Sequence, residues 1–203
     1  MITDCTAIIL AGGDSKRMGR DKASVSINGE TMLQSVIARV QPLFAQTLLS
    51  VREPRADVSL PQICDMQADG GPMVGLISAF KKITTPWVFV VACDMPFVVP
   101  EVIKQLANLR ADHQAVIPDV EGHAQPLAAF YARSCLPVLQ HSLATGNKSL
   151  VGAMKTMDVR YVAAHELVQF DPQLRSFFDL DTPQDVAFAQ RAWQLCHSEK
   201  LNL

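Results

Sequence analysis

The chain has 203 residues, 49% of them hydrophobic and 19% charged, with a formal net charge of −2. That length supports one sizeable core and falls short of two independent ones. The slightly acidic balance excludes broad electrostatic attachment to nucleic acid or an anionic membrane, so any anion site has to be local.

In chain order, the first predicted element is a buried strand at about residues 5–10. It passes directly into a loop holding three glycines and four cationic side chains within the eleven residues Gly12 to Lys22. Apolar residues at Leu33, Val36, Ile37 and Val40 predict a helix over Glu30 to Leu43, its start marked by Asn28-Gly29, with Pro42 near its end. A strand at Thr47 to Val51 precedes a polar stretch, Arg52 to Asp57, that turns at Pro54. A short strand, Gln62 to Cys64, then runs into Asp65. Gly70-Gly71-Pro72 opens a helix whose Met73, Leu76, Ile77 and Phe80 share a face. Trp87 to Cys93 is apolar without alternation, which requires cover on both faces and therefore a central parallel strand. It ends in Asp94-Met95-Pro96, and a helix follows from about Pro100 to Leu109.

The order β-α-β-β-α-β-α predicts an open, doubly wound α/β sheet with ligands bound beyond the carboxyl ends of its strands. Both Gly12-Gly13 and Asp94 fall at such ends. The second half is less regular. Strands are expected at Gln114 to Pro118 and Pro126 to Tyr131, joined by a hairpin-like or lid loop over Asp119 to His123, and further strands near 160–163 and 176–178. Helices are expected near 134–144 and 149–157. A last helix is capped by Thr182 with Pro183 at its first position, and its Val186, Ala189 and Trp193 face one way.

The glycine loop has the composition of an anion cradle: glycines let backbone N–H groups approach a phosphate, and Lys and Arg add full charges. It is not a Walker A loop, because five residues separate Gly13 from Gly19 and no Lys-Ser/Thr pair follows Gly19. An ordinary strand-to-helix turn with solvated charges is the alternative. Asp94 either caps a turn or holds a metal; a carboxylate beside a polyphosphate cradle is repulsive unless a cation such as Mg²⁺ lies between them. Arg17 and Lys22 are then the groups that neutralise phosphate oxygens, with Lys16 and Arg20 facing solvent. Asp65 and Asp181 also follow short apolar strands, from which either reaches the same sheet edge; for Asp65 the alternative is a loop carboxylate, and for Asp181, a candidate acceptor contact or second metal ligand, it is a helix-entry role beside Thr182.

The histidines His113, His123, His141, His165 and His197 are isolated, and no nucleophile and base pair stands out. A phosphate monoester substrate, largely dianionic at neutral pH with a second pKa near ~6, needs none; positioning and charge neutralisation suffice. The five cysteines, Cys5, Cys64, Cys93, Cys135 and Cys196, are scattered, with no Cys-x-x-Cys or zinc spacing, which predicts buried free thiols in a reducing, cytoplasmic setting. The N-terminus, interrupted by Asp4, does not read as a signal peptide, and no apolar run reaches the ~20 residues a membrane span needs.

The residues Leu10-Ala11-Gly12-Gly13-x-Ser15-x-Arg17-Met18-Gly19-x-x-Lys22, then Gly71-Pro72-x-x-Gly75, Cys93-Asp94-Met95-Pro96 and Asp181-Thr182-Pro183-x-Asp185 resemble the MobA-like nucleotidyltransferases, with the motifs in family order over about the first 195 residues. The resemblance implies a single Rossmann-like, three-layer domain over residues 1–203, with 1–110 its nucleotide-binding half and 111–203 its acceptor-binding half. It implies transfer of GMP from Mg-GTP to the terminal phosphate of molybdopterin, with release of pyrophosphate. By residue, it places Leu10, Ala11, Gly12 and Gly13 against guanine and phosphates, Lys22 on phosphate, Asp65 on the nucleotide and Mg²⁺ on Asp94. Molybdoenzyme apoproteins or other cofactor-building proteins are the implied protein partners. Cytidylyl relatives usually show Leu-Ala-Ala-Gly in the first motif and lack the Gly-Pro of the second, so Gly12-Gly13 and Gly71-Pro72 favour guanine. A cytidylyl or sugar-phosphate transferase of the same fold, and a non-catalytic nucleotide-binding accessory protein, are the competing functions. Two positions depart from the family pattern: Arg52, where a small polar residue is common, and Asp181, where Asn is frequent.

Overall fold

The computed structural model describes residues 1–13, 18–19, 21–64 and 71–198. The first strand, β1 (Ile2–Leu10), is buried from Cys5 through Ile9. A 3-10 turn at Lys22–Ser24 leads into the hairpin β2 (Ser26–Ile27) and β3 (Glu30–Thr31), followed by α1 (Met32–Val40) and a 3-10 turn at Gln41–Leu43. Next come β4 (Phe44–Val51), β5 (Gln62–Cys64), α2 (Gly71–Lys82), β6 (Trp87–Ala92) and α3 (Pro100–Asn108). The second half contains β7 (Ala115–Val120), β8 (His123–Ala124), β9 (Ala128–Ala132), α4 (Leu136–Ala144), α5 (Leu150–Met154), β10 (Val159–Ala163), α6 (Ala164–Leu167) and α7 (Pro183–Ser198).

One eight-stranded sheet has the order β10-β7-β9-β6-β1-β4-β5, with β8 paired to β7. β1 runs parallel to both β4 and β6, with Ile8 opposite Leu48 on one side and Val90 on the other, and β5 and β10 join the sheet parallel to their neighbours. Only β9, which lies antiparallel between β6 and β7, and the hairpin partner β8 reverse this direction.

The unbroken apolar run of β6 divides between the two faces as a strand must. Phe89 and Val91 pack with Leu33, Val36 and Val40 of α1 and Val102, Ile103 and Leu106 of α3. Val88 and Val90 pack with Met73, Leu76, Ile77 and Phe80 of α2, Leu139 of α4 and Leu150 of α5. Each such side chain contributes about 1.5–3 kcal/mol on burial, so the three-layer order follows from a strand with no polar face to offer solvent. A smaller third cluster joins Met18, Val25, Ile27 and Met32 to Leu180, Val186 and Ala189. It ties the far end of the glycine loop to the start of α7.

Three expectations change. Asn28 and Gly29, both at positive φ (53° and 97°), form the two-residue turn of the β2–β3 hairpin rather than the start of α1, the geometry that Asn-Gly favours. α1 starts two residues later at a capping box, in which Thr31 Oγ1 accepts from the Gln34 N–H and Gln34 Oε1 accepts from the Thr31 N–H. The segment expected as a strand at 176–178 is a 3-10 turn at Arg175–Phe177. There Asp171 accepts hydrogen bonds from both the N–H and the hydroxyl of Ser176, each at 2.7 Å, which pulls the backbone away from any ladder. Cys64 is exposed at the end of the edge strand β5, whereas Cys5, Cys93 and Cys135 are buried free thiols. The loop over 119–123 is a hairpin, turning at Glu121-Gly122 between β7 and β8.

Candidate functional site

At the carboxyl end of β1 the backbone keeps pairing beyond the last strand residue: Ala11 N–H donates to Ser50 C=O (2.8 Å), and Cys93 N–H donates to Leu10 C=O (3.0 Å). These bonds fix Leu10 and Ala11 against the ends of β4 and β6, from which Gly12 and Gly13 lead on. A cleft opens there, lined by Leu10, Ala11, Gly12 and Gly13, by Asp21 and Lys22, by Gly71, Pro72 and Gly75 at the start of α2, and by Cys93 and Asp94 after β6. Three of the four motifs singled out in the sequence therefore meet at one edge of the sheet, as a doubly wound topology requires.

Lys22 is the centre of charge. Its Nζ donates to Asp94 Oδ2 at 2.8 Å and to Asp181 Oδ1. Burial works to lower its pKa, but the hydrogen bonds and charges of Asp181 and Asp94 outweigh it, so the ammonium is held above its ordinary value and stays charged. Asp181 reaches this point because its neighbour Leu180 is buried in the third cluster and donates its N–H to the Asp94 C=O (3.0 Å). Thr182 caps α7 as expected: its Oγ1 accepts from the Asp185 N–H (3.2 Å), and Asp185 Oδ2 accepts from the Thr182 N–H (2.8 Å) and the Asp181 N–H (3.1 Å). The helix-entry role therefore belongs to Thr182 and Asp185, leaving the Asp181 carboxylate to face Lys22.

Two carboxylates converging on one cation form a hard-oxygen donor set. Mg²⁺ is usually held in this way, by one or two carboxylates, with waters and substrate phosphates completing its shell. The donors at hand fit such an ion. Cys93, also on the cleft wall, is a poor competitor: burial, with the Asp94 charge beside it, pushes its thiol up to about 12, so it remains protonated and neither a nucleophile nor a soft ligand. None of the histidines is among the described residues lining the cleft.

Of the other residues expected at the site, Arg17 and Asp65 lie outside the described residues; so do Lys16 and Arg20, expected to face solvent, and the side chain of Trp193, expected on the shared face of the last helix. Arg52 is exposed on the loop after β4. Two residues went unnoticed in the sequence. Asp21 caps the 3-10 turn that begins with Lys22, accepting from Ala23 N–H at 3.1 Å. Arg55, on the loop between β4 and β5, reaches back to Asp21 at 2.6 Å. An Asp immediately before a Lys-Ala-Ser run was a legible cap signal; no local pattern pointed to Arg55.

Residues 7–159 match the family model described as a MobA-like NTP transferase domain. That span contains Lys22 and Asp94 and stops short of Asp181. The chain is 31% identical over 187 residues to a probable molybdenum cofactor guanylyltransferase from Pelotomaculum thermopropionicum, covering 91% of each chain. It is 33% identical over 193 residues to another protein of that name from Chloroflexus aggregans, covering 91% of this chain and 93% of the relative. Among solved structures, molybdopterin-guanine dinucleotide biosynthesis protein A from Archaeoglobus fulgidus superposes with a TM-score of 0.83 at 27% identity, over 93% of this chain and 98% of that one.

Proposed function

The chain belongs to the MobA-like NTP transferase family and is a nucleotidyltransferase; from that premise we propose that it transfers GMP from Mg-GTP to the terminal phosphate of molybdopterin, forming the guanine dinucleotide and releasing pyrophosphate. The observation that supports this most directly is Lys22, held charged between Asp94 and Asp181 at the mouth of a glycine-lined cleft. The names of the relatives supply the choice of guanine and of the acceptor.

In this proposal an oxygen of the acceptor phosphate forms a bond to the α-phosphorus of the nucleotide. The bond from that phosphorus to the bridging oxygen breaks, and its electron pair leaves with pyrophosphate. The acceptor phosphate, mostly dianionic at neutral pH with its second pKa near ~6, attacks without a protein base. Lys22 neutralises the charge that builds on the leaving pyrophosphate, with Arg17 proposed as its second donor. The backbone from Leu10 to Gly13 meets the guanine and phosphates, and Asp65 contacts the nucleotide. Asp94 would hold Mg²⁺, with Asp181 as a second ligand or an acceptor contact; when bound, the ion supplies Lewis-acid polarisation of the phosphoryl oxygens. Residues 1–110 form the nucleotide half and 111–203 the acceptor half, and Asp181 is where the second half reaches the reacting centre.

Pyrophosphate release measured with each of the four NTPs, with and without molybdopterin, tests this. Release that requires GTP and molybdopterin together is expected. A preference for CTP overturns the guanine assignment, and GTP binding with no release in the presence of a loaded acceptor points to a carrier instead of an enzyme.

A further inference from the structure

Lys22 sits on a 3-10 turn of only three residues, too short to fix a side chain through its own backbone. What holds the turn is its N-cap, Asp21. One Asp21 oxygen accepts from the Ala23 N–H at 3.1 Å, and the other accepts from Ser24 Oγ at 2.7 Å and from Arg55 Nη1 at 2.6 Å. Arg55 also donates from Nη2 to Ser24 Oγ at 2.8 Å. On the other side of the guanidinium, Asp57 accepts from Nε at 3.2 Å and from Nη2 at 3.0 Å. Arg55 is itself anchored to the sheet: its N–H donates to Gln62 Oε1 at 2.8 Å, and its C=O accepts from Gln62 Nε2 at 2.7 Å, with Gln62 on β5. The side chain is 15% exposed, and Arg55 is not among the cleft-lining residues.

Asp21, by contrast, does line the cleft. An unpaired carboxylate next to Lys22 would repel an arriving triphosphate and compete for the ammonium that has to meet it. We propose that Arg55 is a positioning residue for the nucleotide site: acting through Asp21, it fixes the turn that carries Lys22 and cancels the one carboxylate of that turn that faces the incoming phosphates. The inference rests on the nucleotidyltransferase assignment but not on the choice of guanine. It places a functional residue on the β4–β5 loop, outside all four motifs legible in the sequence. The alternative role, a loop-stapling ion pair with no bearing on substrate, is the usual fate of an exposed pair, worth about 0–1 kcal/mol.

A double-mutant cycle separates the two. Asp21→Asn keeps a good cap, since Asn and Asp cap about equally well, but removes the charge. Affinity for Mg-GTP and for Mg-CTP is measured by calorimetry for wild type, R55A, D21N and R55A/D21N, with melting temperature and the split of kcat from KM recorded for each. R55A is expected to bind the preferred nucleotide about tenfold more weakly, equivalent to ~1.4 kcal/mol, with the loss chiefly in KM. D21N, which keeps the cap and lacks the charge, is expected to bind at least as tightly as wild type, and R55A/D21N to match it, even where the double variant's melting temperature stays at that of R55A. An R55A that binds like wild type, or a double variant as weak as R55A, overturns the proposal. A wild type that prefers CTP corrects the donor without disturbing the cycle, because the cycle is then read on CTP; binding of neither nucleotide overturns both assignments.

Discussion

Asp94 and Lys22 touch at 2.8 Å, yet the protein holds them by different means. Asp94 follows β6, whose Val88 through Val91 are wholly buried, and backbone bonds grip it on both sides: Cys93 N–H to Leu10 C=O, and Leu180 N–H to the Asp94 C=O, each 3.0 Å. Lys22 depends on a three-residue turn and a set of side-chain contacts through Asp21, Ser24 and Arg55. The anionic side of the site is therefore an extension of the sheet, and the cationic side is a loop braced by charge. Substitution near Asp94 should change chemistry without moving the chain, whereas substitution near Lys22 should change geometry and charge together.

The largest expected effect is at the rigid side. Asp94→Ala should lower kcat/KM by about 10³-fold, the several kcal/mol a bound metal supplies, with the melting temperature within ~2 °C of wild type. A collapse in stability on calorimetry would break the contrast, because Asp94 would then be holding the fold as well as the chemistry. Next is Lys22→Met, expected to cost about 10²-fold in kcat/KM. It also removes the ammonium that Asp94 and Asp181 share, which should destabilise the free protein by about 1–2 kcal/mol, or roughly 2–8 °C for a chain of this size. Mg²⁺ should then raise the melting temperature of Lys22→Met more than that of wild type, since an ion that binds only the folded state stabilises it; an equal rise in both would remove the two carboxylates as a shared cation site.

The smallest effect is expected at the helix that carries Asp181 to the site. Thr182→Ala removes the cap of α7 and should cost about 1 kcal/mol, with little change in kcat. The Thr182 hydroxyl, then its N–H and that of Asp181, hold the Asp185 carboxyl below its ordinary value against the opposing pull of burial. A carboxyl depressed in the folded state contributes stability above its unfolded pKa, near ~3.9, and that contribution is lost as pH falls through the folded value. Thr182→Ala lets the folded value rise toward the unfolded one, so less of the stability at neutral pH is acid-labile. Melting temperatures followed from pH 7 to pH 2 should fall less steeply in the variant, from a lower starting point.

Much of the site was legible because its signals are local. An apolar strand broken by glycines and cations marks a phosphate-facing edge, and Asp94 is adjacent in sequence to the strand that positions it. Asn28-Gly29 is equally local, but the helical spacing that follows it outweighs the signal of a hairpin whose two strands have two residues each. Residues 176–178 look like a strand by composition; the Asp171–Ser176 contacts that override this span five positions, with Leu174 at a φ of +51° between them, and leave no periodic trace. Cys64 was expected inside because cysteine usually is, but a three-residue strand at the sheet edge exposes its end.

By itself the sequence determined the layering. Strands apolar on both faces have to be covered by helices on both faces, and helices with one apolar stripe can supply that cover only when they flank a sheet. It also determined which edge receives the ligand, since the glycines and Asp94 follow directly from strand ends. Only the tertiary structure decided which charges share a point in space. Lys22 meets Asp94 across 72 positions and Asp181 across 159, and it takes its brace from Arg55 through Asp21. Such encounters depend on how Met18, Leu180 and Val186 pack into a common cluster, and a charge-to-charge contact closed by distant packing has no period or spacing along the chain from which it could be read.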